Sequence, residues 1–331
     1  MFSPEGSAPL ESPSSAGHPE VMDALIARPL ARHGGLASRR LLLQDGASQE
    51  MLDRAWRAGS IIRVRHGVYA APDLPPEIIR AARVGGALSG PSATAALGGW
   101  QPHGAPLFVS VRPNDHRLRH PDDAGRRLTR QDEAVVVLRD AHHLDPLTER
   151  LVASPATAVA QSLLHLPVWE AVAVIDSVQR AGHVVHPIDL ELVRRRLPER
   201  LRSAIDLADP RAESGTESIT RVRLAAAGIP TMVQPELTES IRPDLLVGDR
   251  LLIECVSVDH HSSPASYNSD RRRISEMVVL GYTVLEFPYP DVMFAWPGVL
   301  STVEAAMWTL GISKGDIPRL RSLRPRACGA A

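Results

Sequence analysis

At 331 residues the chain is long enough for two or three domains, and 44% hydrophobic with 23% charged residues is an ordinary globular composition. No uninterrupted apolar run approaches the ~20 residues of a bilayer span, and two cysteines, Cys255 and Cys328, exclude a disulfide framework or a cysteine-rich zinc site. The net charge of −1 conceals a basic stretch, because residues 32–70 hold seven arginines against three acids, an excess that a phosphate backbone would feel.

Residues 1–18 have neither the basic start nor the apolar core of a secretory signal, so they read as a disordered leader and the chain is expected in the cytoplasm. EVMDALIARPLARH has apolar residues at helical spacing and is stopped by Gly34 and Gly35. SRRLLLQDG is a second short helix from Ser38 to Gly46. Ser48 caps a third, QEMLDRAWRAG, in which Met51, Leu52 and Ala55 share a face while Arg54 and Arg57 point away. IIRVRHGVYA alternates apolar and basic residues around a turn at His66 and Gly67. Three helices and a basic hairpin form the order of a winged helix-turn-helix over 19–72.

The stretch GGLASRRLLLQDGASQEMLDRAWRAGSIIRVRHGVYAAP resembles the N-terminal domain of the abortive-infection AbiEi-type antitoxins. The resemblance implies double-stranded DNA as partner, often at the protein's own operon, and a bacterial defence setting with a partner toxin or other defence-system protein. It assigns DNA contact to Arg54 and Arg57 on the third helix and to Arg63 and Arg65 on the wing. A solvated charged face on a protein-interaction domain is the competing reading.

Residues 73–205 read as a mixed middle segment, through which the AbiEi-type resemblance continues more weakly, implying an AbiEi-like middle domain. VGGALSGPSATAALGGW reads as a small-residue helix after a Gly-rich turn, PLFVSVRP and AVVVLRD as strands, and PATAVAQSLLHL and WEAVAVIDSVQRAG as amphipathic helices. His142, His143 and Asp176 read as surface and helix residues rather than ligands. VRRRLPERLR is a basic helix broken or kinked at Pro198.

The chemistry, if any, is expected in 211–312, ahead of a tail over 313–331. ESGTESITRVRLAAAGIP is a helix capped by Ser214 or Thr216 and ended by Gly228 and Pro230. RPDLLVGDRLLIECVSV reads as a hairpin, DRRRISEMVVLG as a helix with Ile274, Met277 and Val278 on its apolar face, and YTVLEFP as a strand. Pro297 opens the last helix. Hairpin, helix and strand predict an α/β sandwich on a mixed sheet. A three-residue loop at Gly248, Asp249 and Arg250 would set Asp244 opposite Glu254, whereas a two-residue loop would put them on opposite faces. With Glu217 from the preceding helix, three carboxylates could converge on a hard cation such as Mg²⁺ (or Mn²⁺). Alternatively Glu254, inside an apolar strand, needs an arginine, with Arg242 or Arg271 as candidates.

The run from Glu217 through RPDLLV, LLIECVSVDHHSSPASYNSDRRR and LGYTVLEF resembles the very-short-patch-repair (Vsr-like) endonucleases of the PD-(D/E)xK superfamily. That resemblance implies a restriction-endonuclease-like fold and a metal site at Asp244, Glu254 and Glu217. It makes His261 the general base, and gives Asp270, with Arg271 and Arg273, a role in bracing it or contacting phosphate. The chain departs from the pattern: Val256 and Ser257 stand where the group has Asp-Gly, and no lysine lies nearby, Lys314 being the only one in the chain. The expectation is an α/β multidomain DNA-binding protein with a Mg²⁺-dependent endonuclease domain. The alternative is a non-catalytic DNA-binding regulator or antitoxin-like protein that keeps the fold as a binding module.

Overall fold

The computed structural model describes residues 19–139, 151–181, 190–256 and 264–315. Ser257, His261, the His142–His143 pair and Cys328 lie outside them. Among the described residues no helix is long and apolar enough to cross a membrane. In chain order the first elements are α1 (Pro19–Arg32), β1 (Leu36–Ser38), α2 (Arg39–Gln44), α3 (Gln49–Arg57), β2 (Ile62–Arg65), β3 (Val68–Ala70) and α4 (Pro76–Val84). There follow β4 (Ala87–Leu88), α5 (Gly90–Ala96), β5 (Leu107–Ser110), β6 (Arg119–His120), β7 (Asp123–Arg127) and β8 (Val135–Leu138). The chain divides into two compact units. One comprises the described residues of Met1–Gly85, His116–Leu128 and Pro146–Leu151, the other those of Gly86–Asp115, Thr129–Asp145 and Val152–Ala331.

In the first unit the helix starts are set by side-chain caps. Ser38 Oγ accepts from Leu41 N at 3.3 Å and Ser48 Oγ from Met51 N at 3.2 Å, each satisfying an otherwise orphan donor. Ile26, Leu30, Leu42, Leu52, Ala55, Ile61 and Tyr69 then close one core. β2 and β3 turn at Gly67, whose φ of 72° suits glycine. β1 adds a third strand, giving the order β1-β3-β2, so this is a winged helix-turn-helix with a three-stranded wing sheet. α4, absent from the sequence reading, packs Ile79 and Ala82 against Val64 and Ala70 of the wing. The β6–β7 hairpin, also unforeseen, belongs to this unit.

The second unit begins with a sheet of order β4-β5-β8. It continues through α6 (Pro155–His165), α7 (Val168–Arg180), α8 (Leu190–Arg196) and α9 (Glu199–Arg202), with Pro198 breaking the basic helix as its missing N–H requires. Then come α10 (Gly215–Ala226), β9 (Thr231–Val233), β10 (Leu245–Val247), β11 (Leu251–Val256), α11 (Pro264–Val279), β12 (Thr283–Pro288), α12 (Tyr289–Phe294) and α13 (Trp296–Leu310). The sheet order is β12-β11-β10-β9, antiparallel except for the parallel β11–β12 pair. Leu245, Val247, Leu251 and Ile253 pack with Ile219 and Leu224 of α10 and Val299, Val303 and Met307 of α13. Leu246 and Leu252 point to the other face and meet Met277 and Ile274 of α11. This is an α/β sandwich on a mixed sheet.

Three local expectations are corrected. Val278 is 55% exposed rather than part of the apolar face, because Ile274 and Met277 already define the buried stripe of α11. Asp270 does not open that helix, which starts at Pro264. Asp176 is no surface residue: it is fully buried on α7 and paired with Arg221 of α10 at 2.8 Å.

Candidate functional site

The first unit presents a basic face. Arg54 and Arg57 lie exposed in the last turn of α3, where positive charge also suits the helix dipole. Arg63 is exposed on β2. Its guanidinium sits 5.4 Å from the ring centroid of Trp56, itself 43% exposed, and Nη2 lies 3.2 Å from His66 Nδ1. Stacking on an aromatic face pre-orders a cation without neutralising it. Arg65 differs. It folds back on the C-terminal end of α4, so close to Gly85 that a Cβ there would stand 2.5 Å from Nη1. Three of the four arginines singled out in this unit are therefore exposed, while Arg65 is half-buried.

The second unit carries a pocket of about 1100 Å³ at the end of the β10–β11 hairpin, lined by eight carboxylate residues against three arginines. The ladder pairs Leu245 with Ile253 and Val247 with Leu251. That is the register of the three-residue loop, with Gly248 at φ 63° supplying its left-handed residue. Continued one step, the register sets Asp244 opposite Glu254. Asp244 Oδ2 accepts from Cys255 N at 2.7 Å. Its carboxyl is pushed up to about 8, chiefly by burial and then by the charges of Glu217 and Glu254.

Glu254 is 4% exposed, and burial raises its pKa as well, with Arg273 opposing. Its Oε2 accepts from Arg273 Nη2 at 2.6 Å, while Oε1 is buried without a hydrogen-bond partner. The arginine is thus neither Arg242 nor Arg271. Arg273 lies four residues before the buried Met277, on the stripe of α11 that faces the sheet. Arg242 pairs with Glu213, and Arg271 pairs at 2.9 Å with Glu286, the neighbour of Glu254 on β12.

Glu217 comes from α10, on the opposite side of the sheet. Ser214 caps that helix by accepting from Glu217 N at 3.1 Å, and Glu217 Oε2 accepts from Glu213 N at 2.9 Å. The same oxygen accepts from Gln234 Nε2 at 2.8 Å, an amide that also stands 3.5 Å from Asp244 Oδ1. Gln234, with φ at 48°, is the one non-glycine residue with positive φ among those described. Such backbone persists only where surrounding contacts hold it. Nothing in the sequence marks it, although it joins two of the three carboxylates.

Asp270 lines the pocket from α11. Among the described residues no group of three or more His, Cys, Asp or Glu side chains is arranged to hold a metal ion. The donors are of the right oxygen type for a hard cation, and Glu254 Oε1 is a spare one. The arrangement, however, commits Glu254 to Arg273 and Glu217 to Gln234.

Residues 26–72 match the family model described as transcriptional regulator, AbiEi antitoxin. The chain is also 28% identical over 258 residues to two proteins of Mycobacterium tuberculosis, Uncharacterized protein MT2308 of strain CDC 1551 / Oshkosh and Uncharacterized protein Rv2248 of strain H37Rv. Each match covers 74% of this chain and 92% of the relative. The family match covers the second half of α1, then α2, α3 and the wing, the part of the chain on which the exposed arginines Arg54, Arg57 and Arg63 sit.

Proposed function

We propose that this chain is a DNA-binding regulator of the antitoxin-like kind, with a toxin or other defence-system protein as a further partner. The observation that carries the reading is the exposed basic face of α3 and the wing, Arg54, Arg57 and Arg63, within the segment that matches the regulator family. Such arginines fix register through phosphate contacts, and base edges read by α3 supply sequence preference. On this reading the α/β sandwich is a binding module.

The test is binding of a labelled DNA duplex over a range of salt. Affinity should fall steeply as salt rises, and Arg54→Glu with Arg63→Glu should abolish it. Salt-insensitive binding, or none, would sink the reading and point to a protein partner.

A second reading, Mg²⁺- or Mn²⁺-dependent phosphodiester hydrolysis, is favoured by one observation. Asp244 and Glu254 share a strand pair's end, and Glu254 Oε1 is buried and unpartnered. A divalent cation there would supply charge compensation and Lewis acidity. Asp244, Glu254 and Glu217, which line one pocket, would hold it, but Glu254 is committed to Arg273 and Glu217 to Gln234, so no catalytic step is assigned. Nicking of supercoiled plasmid with Mg²⁺ or Mn²⁺, lost in Asp244→Ala, would establish it. Wild-type protein that binds duplex but never cuts would remove it.

A further inference from the structure

We propose that the β6–β7 hairpin is a second basic wing, contacting the phosphate backbone of the same duplex as the β2–β3 wing. The proposal rests on the DNA-binding reading above and extends its surface. Its first support is placement. Arg80 grips Asp122 with two bonds, Nε at 2.8 Å and Nη2 at 3.2 Å. Arg83 donates from Nε to Val64 O on the wing strand at 3.2 Å and from Nη1 to Pro121 O in the hairpin at 2.5 Å. One guanidinium therefore ties the two hairpins together, beside exposed Arg63.

The second support is charge. His116–Leu128 contains four arginines and two histidines against Asp122 and Asp123. Both acids are engaged within the unit: Asp122 by Arg80, and Asp123 by Gly125 N, which donates to its Oδ1 at 2.8 Å. Arg117, Arg126 and Arg127 are exposed.

The third support is a conflict in the ladder itself. Arg119 stands directly opposite Arg127. Like charges across a strand pair destabilise it, even though Arg119 Nη1 donates to Gly125 O at 3.2 Å and Arg80 and Arg83 anchor the ribbon. Phosphates lying along the ribbon would relieve that repulsion. A free phosphate ion could meet one arginine, whereas a duplex carries phosphates enough for several.

The test uses the full chain and a fluorescein-labelled duplex of mixed sequence, followed by anisotropy at several salt concentrations. Arg117→Ala/Arg126→Ala/Arg127→Ala should weaken binding by roughly tenfold or more. It should make the slope of log affinity against log salt shallower by about 0.9 per lost contact, about 2.7 in all. The corresponding triple lysine variant should keep most of the affinity, because it keeps the charge. A triple alanine variant that binds like the wild type, while Arg54→Glu with Arg63→Glu abolishes binding, overturns the second wing and leaves the regulator reading standing. A wild type that does not bind duplex overturns both. Equal losses in the alanine and lysine variants, with lowered melting temperatures, would mean a structural role and also overturn the proposal.

Discussion

Asp244 keeps its proton far above the ordinary carboxylate range, up to about 8, because burial and then Glu217 and Glu254 oppose its ionisation. The folded chain therefore holds a proton that the unfolded chain releases at ordinary carboxylate pH. The stability tied to this group is fully present below that range and is lost as pH rises toward about 8. Asp244→Asn removes the titration. Its melting temperature should exceed that of the wild type at pH 9 by more than at pH 5, a difference worth at least about 1.4 kcal/mol, one pKa unit. Equal effects at both pH values would show that Asp244 carries no such shift. Arg273→Ala should cost about 2 kcal/mol in urea titrations. That is less than the ~3–5 kcal/mol of a fully buried broken pair, because the Arg273 side chain is 36% exposed while that of Glu254 is 6% exposed. Glu254→Gln on that background should recover part of the loss. At this scale the opposition of Asp244 and Glu254 was legible, since the even spacing leaves only the loop length open. The arginine partner was not, because which side of α11 faces the sheet is decided by Met277 packing, and nothing local to Arg242 or Arg271 reveals it.

Elements defined by caps were readable, and elements defined by contact were not. Ser38, Ser48 and Ser214 each announce a helix by a side-chain bond to the third residue beyond. Short β1 and β9 carry too few residues for alternation to register, and β6–β7 has charged residues on both faces. α4 earns its place only by covering Val64 and Ala70. The α7–α10 contact hides a further element-scale device. Asp176 and Arg221 are 1% and 8% exposed, Arg221 Nη1 also donates to Leu207 O at 2.6 Å, and Asp209 N donates to Asp176 at 2.7 Å. Asp176→Ala strands the guanidinium in the interior and should cost about 3–5 kcal/mol in urea denaturation. A loss below 1 kcal/mol would mean that water reaches Arg221 once the carboxylate is gone. Asp176→Ala with Arg221→Met should be milder than the single change.

For the molecule as a whole, the net charge of −1 averages a basic winged-helix unit with an acidic pocket in the other unit. Composition alone cannot show that division. Nor could it show that His116–Leu128 joins the N-terminal unit, because that contact spans a long separation in sequence. A peptide of residues 19–72 should therefore fold poorly, since Val64 and Ala70 lose Ile79 and Ala82. Extending it to residue 85 restores α4 and should raise the melting midpoint by circular dichroism, each buried Ile-sized side chain contributing about 1.5–3 kcal/mol. Indistinguishable melts would show α4 to be dispensable.

The first unit is contiguous in space but not along the chain, because Gly86–Asp115 leaves it before His116–Leu128 returns. In genetic terms, a recombination joint placed after residue 72 or 85 would carry off the wing and strand its second hairpin with the other partner. Exchange of this unit between genes then requires a joint beyond the hairpin, or the loss of the contact that Arg80 and Arg83 make with it.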